Sequence, residues 1–358
     1  MKILFFGLSI SSAWGNGHAT TYRALIRALH ERGHRIIFFE RNAEWYASNR
    51  DLPEPPFCTL EVFESWDAIK ARVRKELQDA DVAVVGSYFP DGIAAVDEVL
   101  DSRVPVKAFY DIDTPITAAK LSNGGTSYLR RDQLGGFDVY FSFTGGPFLE
   151  DLESRFGVRK AVPLYCSFDP HLYHPRTSTK RFRCDLSYMG TYAPDRQAKL
   201  DCFLRQPAMA MPQRKFLLAG PQYPADFELP RNVRRTLHVA PEHHAEFYCS
   251  SRITLNLTRQ DMVNAGYSPS VRLFEAAACG AAIVSDAWAG LESVFVPGEE
   301  ILVAHSTEQM KGYLEEMSPT ELELLGRNAR ERAMLEHHPG KRAQQFENAI
   351  ASVESACV

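Results

Sequence analysis

Short apolar runs without a polar face recur along this chain, and they restrict its fold more than any other feature. Asp81 to Gly86 reads Asp-Val-Ala-Val-Val-Gly. A strand with one wet face alternates apolar and polar residues. A run apolar throughout must be covered on both sides, as in a parallel sheet. Lys2 to Phe6, Arg35 to Glu40, Val106 to Tyr110 and Val139 to Phe143 are runs of the same kind. Between the first two lies Ala19 to Arg32, where Tyr22, Leu25, Ile26 and Leu29 recur at helical spacing and Gly33 closes the helix. Strands separated by helices predict a doubly wound α/β domain.

The alternation pauses between Pro163 and Pro175, where Pro170 and Asp169 suit an extended connection. It restarts after the basic stretch Lys180 to Arg183, with strands expected at Asp185 to Met189, Lys215 to Ala219, Arg252 to Leu257, Ala281 to Ser285 and Ile301 to Ala304. A chain of 358 residues suits two such domains. The expected division is 1–170, 171–335, and a C-terminal segment 336–358 that packs back on the first domain. Pro319 to Ser352 reads as charged and helical.

Composition removes several classes. A formal net charge of −5 argues against a nucleic-acid protein, and the cluster Arg231, Arg234, Arg235 reads as a solvated surface. The first apolar run is too short for a membrane span or a signal segment, so a cytoplasmic protein is expected. The seven cysteines (58, 166, 184, 202, 249, 279, 357) show no paired spacing and read as reduced thiols without a metal. The adjacent pairs His243-His244 and His337-His338 would point apart on a helix and read as solvated surface.

Residues 264 to 280 carry the strongest chemical signal: Asn-Ala-Gly-Tyr-Ser-Pro-Ser-Val-Arg-Leu-Phe-Glu-Ala-Ala-Ala-Cys-Gly. A polar turn containing Ser268 and Ser270 leads into a short helix of small residues. Its first amides would lack partners, and the helix dipole favours an anion there. Arg272 lies in the first turn and can fork onto phosphate oxygens. Glu275 lies one turn further on, where a carboxylate accepts hydrogen bonds from sugar hydroxyls. Phosphate beside sugar hydroxyls describes a nucleotide-sugar site.

Other candidates lie in loops after strands, where open α/β sheets bind ligands. Gly15-Asn16-Gly17-His18-Ala19-Thr20 resembles a dinucleotide fingerprint, with Glu40 as a ribose partner. Thr20 stands at the third glycine position, however, and Gly15 lies too far beyond Gly7 for the tight turn. His18 would sit at a helix N-terminus, where the dipole disfavours the charged imidazole and suits a general base. Asp111 and Asp113 end a strand before Thr114-Pro115. Asp113 fits either an Asx-type turn or an active site. Gly190, Thr191 and Arg196 follow the first strand of the second domain, although Asp195 and Arg196 also read as a surface pair. Asn256 and Arg259 end another strand. His238 and Val239 follow a strand-like run and would line a base pocket.

The stretches 185–196 (Asp-Leu-Ser-Tyr-Met-Gly-Thr-Tyr-Ala-Pro-Asp-Arg), 254–259 (Thr-Leu-Asn-Leu-Thr-Arg) and 266–280 resemble the glycosyltransferases of the GT-B architecture, and among them the CgeB-like (spore maturation protein type) family. Residues 15–25, 111–115 and 142–146 resemble it more loosely. The resemblance implies two Rossmann-like domains facing a cleft, with the donor held mainly by the second. It also implies transfer without metal or cofactor, arginines and helix ends stabilising the leaving diphosphate. Many related retaining enzymes carry two glutamates eight positions apart. Glu275 matches the second, whereas Tyr267 occupies the first, so the sugar contacts of that carboxylate do not carry over.

The expected activity is transfer of a hexose from a nucleoside-diphosphate sugar to an acceptor bound by first-half loops, such as those around Trp45, Tyr88 and Asn123. A nucleotide-sugar epimerase, a non-catalytic sugar-nucleotide-binding protein and an NAD-dependent oxidoreductase are the alternatives.

Overall fold

The computed structural model describes residues 1–354, so Cys357 lies outside the described residues. The chain forms two compact units. One comprises residues 1–167 and the C-terminal segment from Pro339; the other runs from Phe168 to His338.

The first unit holds seven strands: β1 (Lys2–Phe6), β2 (Arg35–Arg41), β3 (Thr59–Phe63), β4 (Val82–Gly86), β5 (Val106–Asp111), β6 (Val139–Ser142) and β7 (Ala161–Pro163). They form one parallel sheet in the order β3-β2-β1-β4-β5-β6-β7. Ile3 pairs with Ile36 on one side and Val82 on the other. Every residue of β4 is buried, as its unbroken apolar character requires. The helix Pro339–Glu354 belongs to this unit. Its Phe346 is fully buried, stacks on Phe141 at 5.0 Å and lies 6.2 Å from Phe5. Glu347 on the same helix takes a bidentate pair from Arg32 at 2.7 and 2.6 Å and contacts His34 Nε2 at 2.8 Å.

The second unit contains β8 (Cys184–Met189), β9 (Phe216–Ala219), β10 (Val233–Thr236), β11 (Ser251–Asn256), β12 (Ile283–Asp286) and β13 (Leu302–Ala304). These form a second parallel sheet in the order β10-β9-β8-β11-β12-β13. Leu186, Leu218, Ile253, Leu255 and Val284 from four adjacent strands fill its core with Phe203 and Leu204 from the helical face.

Three strands escape the apolar pattern. β3 and β10 are edge strands with exposed positions, and β7 has only three residues, so none needs an unbroken apolar run. The charged C-terminal stretch is two helices, Pro319–Glu336 and Pro339–Glu354. Pro339 lacks the N–H a continuous helix would use, and it starts the second. The solvated reading of the histidine pairs is corrected at two positions. His337 is buried between Phe274 and Phe295, with Nε2 3.0 Å from the Val294 carbonyl. His244 lies between the Tyr173 hydroxyl and the Val239 carbonyl.

Candidate active site

In the second unit the connections leave β8 in opposite directions, so its C-terminal end and that of β11 form the topological switch point, the usual ligand crevice of such sheets. The helix Val271–Ala278 brings Arg272 to this point. Its Nε donates to the Met189 carbonyl at 2.5 Å, and Nη1 donates to Asn256 Oδ1 at 2.8 Å. The guanidinium also lies over the Tyr188 ring at 4.9 Å. Two of its nitrogens are thereby fixed to the ends of β8 and β11. A side chain at Gly190 would meet Arg272 Nη2 at 2.8 Å. Glycine there keeps the third nitrogen accessible.

Ser270 precedes the first turn, but its hydroxyl donates to Asn256 Oδ1 at 2.6 Å and does not cap the helix. The first-turn amides therefore lack a side-chain acceptor, which is the arrangement that attracts an anion. Glu275, one turn on, is 4% exposed and accepts a 3.0 Å hydrogen bond from the Tyr248 hydroxyl through Oε2. Burial and the adjacent carboxylate raise the Tyr248 hydroxyl well above its ordinary range, so it stays a neutral donor that orients Glu275. Before this helix the chain turns through Tyr267 at φ 46°, and the Tyr267 N–H donates to the Ala289 carbonyl at 2.6 Å.

Arg196 reaches the same crevice from the other side. Nη1 donates to the Tyr188 hydroxyl at 3.2 Å and Nη2 to the Thr191 carbonyl at 3.1 Å. Asp195 does not pair with Arg196: it pairs with Arg259 at 3.6 Å and accepts the Gln260 N–H at 3.0 Å. The surface-pair reading is thus corrected to Asp195–Arg259, which leaves Arg259 partly neutralised at the margin. Ser268 is turned inward, with its hydroxyl donating to the Met262 sulfur at 3.3 Å. Gly190, Thr191, Arg196, Ser270, Arg272 and Glu275 are brought together, whereas Arg259 lies at the margin and the Ser268 hydroxyl is directed inward to Met262. His238 and Val239 follow β10 and lead to the helix His244–Ser250, which carries Tyr248. Val239 is 3% exposed and its carbonyl is engaged by His244.

In the first unit His18 lies in the first turn of the helix Gly17–Glu31, whose N-cap Asn16 accepts the His18 N–H at 3.0 Å. His18 Nε2 is 3.7 Å from Asp113 Oδ2, and the Tyr88 ring meets the imidazole edge-on at 5.5 Å. Asp113 stands at the N-cap position of the helix Thr114–Ser122, where its carbonyl and not its carboxylate accepts the Ile116 and Thr117 amides, and its N–H donates to Asp111 Oδ1. Asp111 itself is fully buried and holds Tyr140 and Thr117. Burial raises its carboxyl from 3.8 to about 6, against the hydrogen bonds from Tyr140 and Thr117. Asp113 is thus the accessible carboxylate, at 24% side-chain exposure, and Asp111 is the internal support.

Glu40 does not stand free for a ribose. Its carboxylate accepts the Ile10 and Ser11 amides at 2.7 and 3.0 Å and the Ser11 hydroxyl. It fastens the loop ahead of His18, which removes the dinucleotide partner on which the oxidoreductase alternative depends. Among the described residues no group of three or more His, Cys, Asp or Glu is arranged to hold a metal ion.

Tyr188 and Tyr248 are the residues that sequence reasoning does not single out, whereas it names Asn256 with Arg259 but not as the acceptor for Arg272 and Ser270. Tyr248 lies 27 positions from Glu275, and no local spacing joins them.

A family model described as glycosyl transferase-like matches residues 196–348. No curated protein matches this chain. Among solved structures, sucrose-phosphate synthase from Thermosynechococcus elongatus is similar with a TM-score of 0.72 and 14% identity, over 99% of this chain and 100% of that one. HepE of Anabaena, in complex with UDP-glucose, has a TM-score of 0.67 and 14% identity, over 98% and 100%. An alpha-glucosyltransferase in complex with UDP has a TM-score of 0.72 and 12% identity, over 99% of both chains. The fold is the GT-B architecture, two Rossmann-like units with parallel sheets. No helix of the described residues is long and apolar enough to cross a membrane.

Proposed function

We propose that this protein is a glycosyltransferase that moves a hexose from a nucleoside-diphosphate sugar to an acceptor hydroxyl without a divalent metal. The carrying observation is the convergence at the β8/β11 switch point. Arg272 presents one free guanidinium nitrogen beside uncapped helix amides, and an oriented carboxylate, Glu275, lies one turn away. Diphosphate oxygens at the first two and ribose hydroxyls at Glu275 satisfy every group. The positive groups then stand where charge develops as the diphosphate leaves. The UDP and UDP-glucose held by structural neighbours favour a uridine donor. The motifs at 185–196, 254–259 and 266–280 favour a CgeB-like subtype.

The acceptor proton goes to His18. Protonation at Nε2 leaves an imidazolium 3.7 Å from the Asp113 carboxylate, which stabilises it. This pair serves an inverting transfer.

Thermal-shift measurements with UDP-, GDP- and dTDP-sugars in EDTA test the reading, because ligands that bind only the folded state raise the melting temperature. A UDP-sugar should stabilise wild type and release UDP with acceptor present. Glu275→Gln keeps an acceptor for Tyr248, and should weaken donor binding about 10- to 100-fold, the range for losing a charged hydrogen bond. If no nucleotide sugar stabilises the protein, the proposal fails. Interconversion of donor sugars without acceptor would replace it with an epimerase.

A further inference from the structure

The two basic stretches of the sequence meet in the second unit. Arg234, on edge strand β10, donates through Nη2 to the Arg181 carbonyl. Arg183 directly precedes β8, Lys215 directly precedes β9, and Arg231 lies two residues before β10. Those strands are parallel neighbours, so the three cations start adjacent strands along one rim of the sheet. Lys180, Arg181, Arg183, Lys215, Arg231 and Arg234 are all exposed. Among the described residues none of the six enters an ion pair. Asp185 beside them is already held by Arg214 at 2.9 Å and by the Lys215 N–H.

Charge runs elsewhere behave differently. In the first unit Lys70, Arg72 and Arg74 are each matched by Glu61, Glu76 or Glu98. An unmatched row of six in a chain of net charge −5 is a concentrated positive field.

The rim also carries an apolar tip. Asn232, between Arg231 and Val233, donates through Nδ2 to the carbonyls of Ala208, Met211 and Arg214 at 2.9, 3.0 and 3.1 Å. That fastens the end of the helix Gln206–Ala210 against the start of β10. Met209 there is 64% exposed, and Ala210 and Pro212 are exposed beside it. Cations flanking an exposed apolar tip match the interface of a bilayer, with headgroups for the former and the upper acyl region for the latter. A nucleic acid would meet the cations but leave Met209 without a partner.

We propose that this rim docks the protein on a bilayer surface rich in anionic phospholipids. The proposal is independent of the donor site and stands or falls without it.

Vesicle co-sedimentation of the full chain tests it. Vesicles of phosphatidylcholine with about 40% phosphatidylglycerol should bind the protein at low salt and release it at high salt, and phosphatidylcholine alone should bind little. Arg181→Gln, Arg231→Gln and Arg234→Gln combined should lower the partition coefficient about a hundredfold, since each cation near such a surface is worth roughly a factor of five. If that variant loses its native circular dichroism, Arg183→Gln with Lys215→Gln and Met209→Ser provides the same comparison. Absence of binding to the anionic vesicles, undiminished binding in a folded variant, or tighter binding to a DNA duplex than to vesicles would each overturn the assignment.

Discussion

Asp111→Asn tests the physical account of the first unit most directly. The Asp111 carboxyl is fully buried at the end of β5, and burial raises it from 3.8 to about 6. Each tenfold change in proton affinity corresponds to about 1.4 kcal/mol, so holding the ionised form in the folded state costs about 3 kcal/mol. The folded protein binds this proton more tightly than the unfolded chain. The group's favourable contribution is therefore complete below its unfolded value, near pH 4, and is lost as pH rises through about 6. Asparagine retains an oxygen for Thr117 and the Asp113 N–H and never ionises, and its amide nitrogen donates to the Tyr140 hydroxyl, which turns from donor to acceptor. The variant should match wild type near about pH 4 and exceed it by up to about 3 kcal/mol near about pH 8, roughly 5–10 °C in melting temperature for a domain of this size. Calorimetry across that range measures the effect, and hydrogen exchange at β5 and β6 assigns it to the first unit, since two units need not unfold together. A variant less stable by the same amount at every pH would refute the reasoning, because it would show that hydrogen bonds to the carboxylate outweigh its desolvation.

The remaining predictions concern single groups. The Arg32 pair and His34 hold the Glu347 carboxyl down to about 2, so its contribution is present above its ordinary value of 4.5 and lost as pH falls through about 2. Glu347→Gln should lower the melting temperature at neutral pH and speed amide exchange along Pro339–Glu354, with the difference vanishing in strong acid. The neighbouring Cys279, above all, and the Arg176 N–H draw the Cys249 thiol down to about 7, whereas burial pushes Cys58 up to about 12 and Cys184 to about 11. Iodoacetamide near neutral pH should modify Cys249 well before either, as read by peptide mass mapping. His18→Ala should reduce acceptor-dependent turnover 10²- to 10⁴-fold, the usual range for a general base, with donor affinity unchanged in titration calorimetry. Unchanged turnover would reduce His18 to a helix-terminal residue.

What could be read from the sequence follows from where each constraint is written. Strands covered on both faces, such as β4 and β9, announce themselves because every position must be apolar. β3 and β10 face water along one edge, so Glu61, Arg234 and Arg235 are tolerated within them. At the candidate site the segment around Arg272 and Glu275 was legible because helix, arginine and carboxylate are contiguous. The groups that orient them, Tyr188, Tyr248 and Asn256, arrive from other elements by folding. Glu40 shows the opposite case. Its position suggested a ligand contact, but two backbone amides and a hydroxyl of the next loop had already claimed the carboxylate.

The return of the last helix to the first unit affects how the protein is made. Phe5 and Phe141 wait for Phe346, a residue translated more than two hundred positions after either of them. The first unit is completed only after the second has been translated, because every residue of 168–338 precedes Pro339 in the chain. A chain stopped just short of that proline would release a finished second unit and leave an open seam on the first.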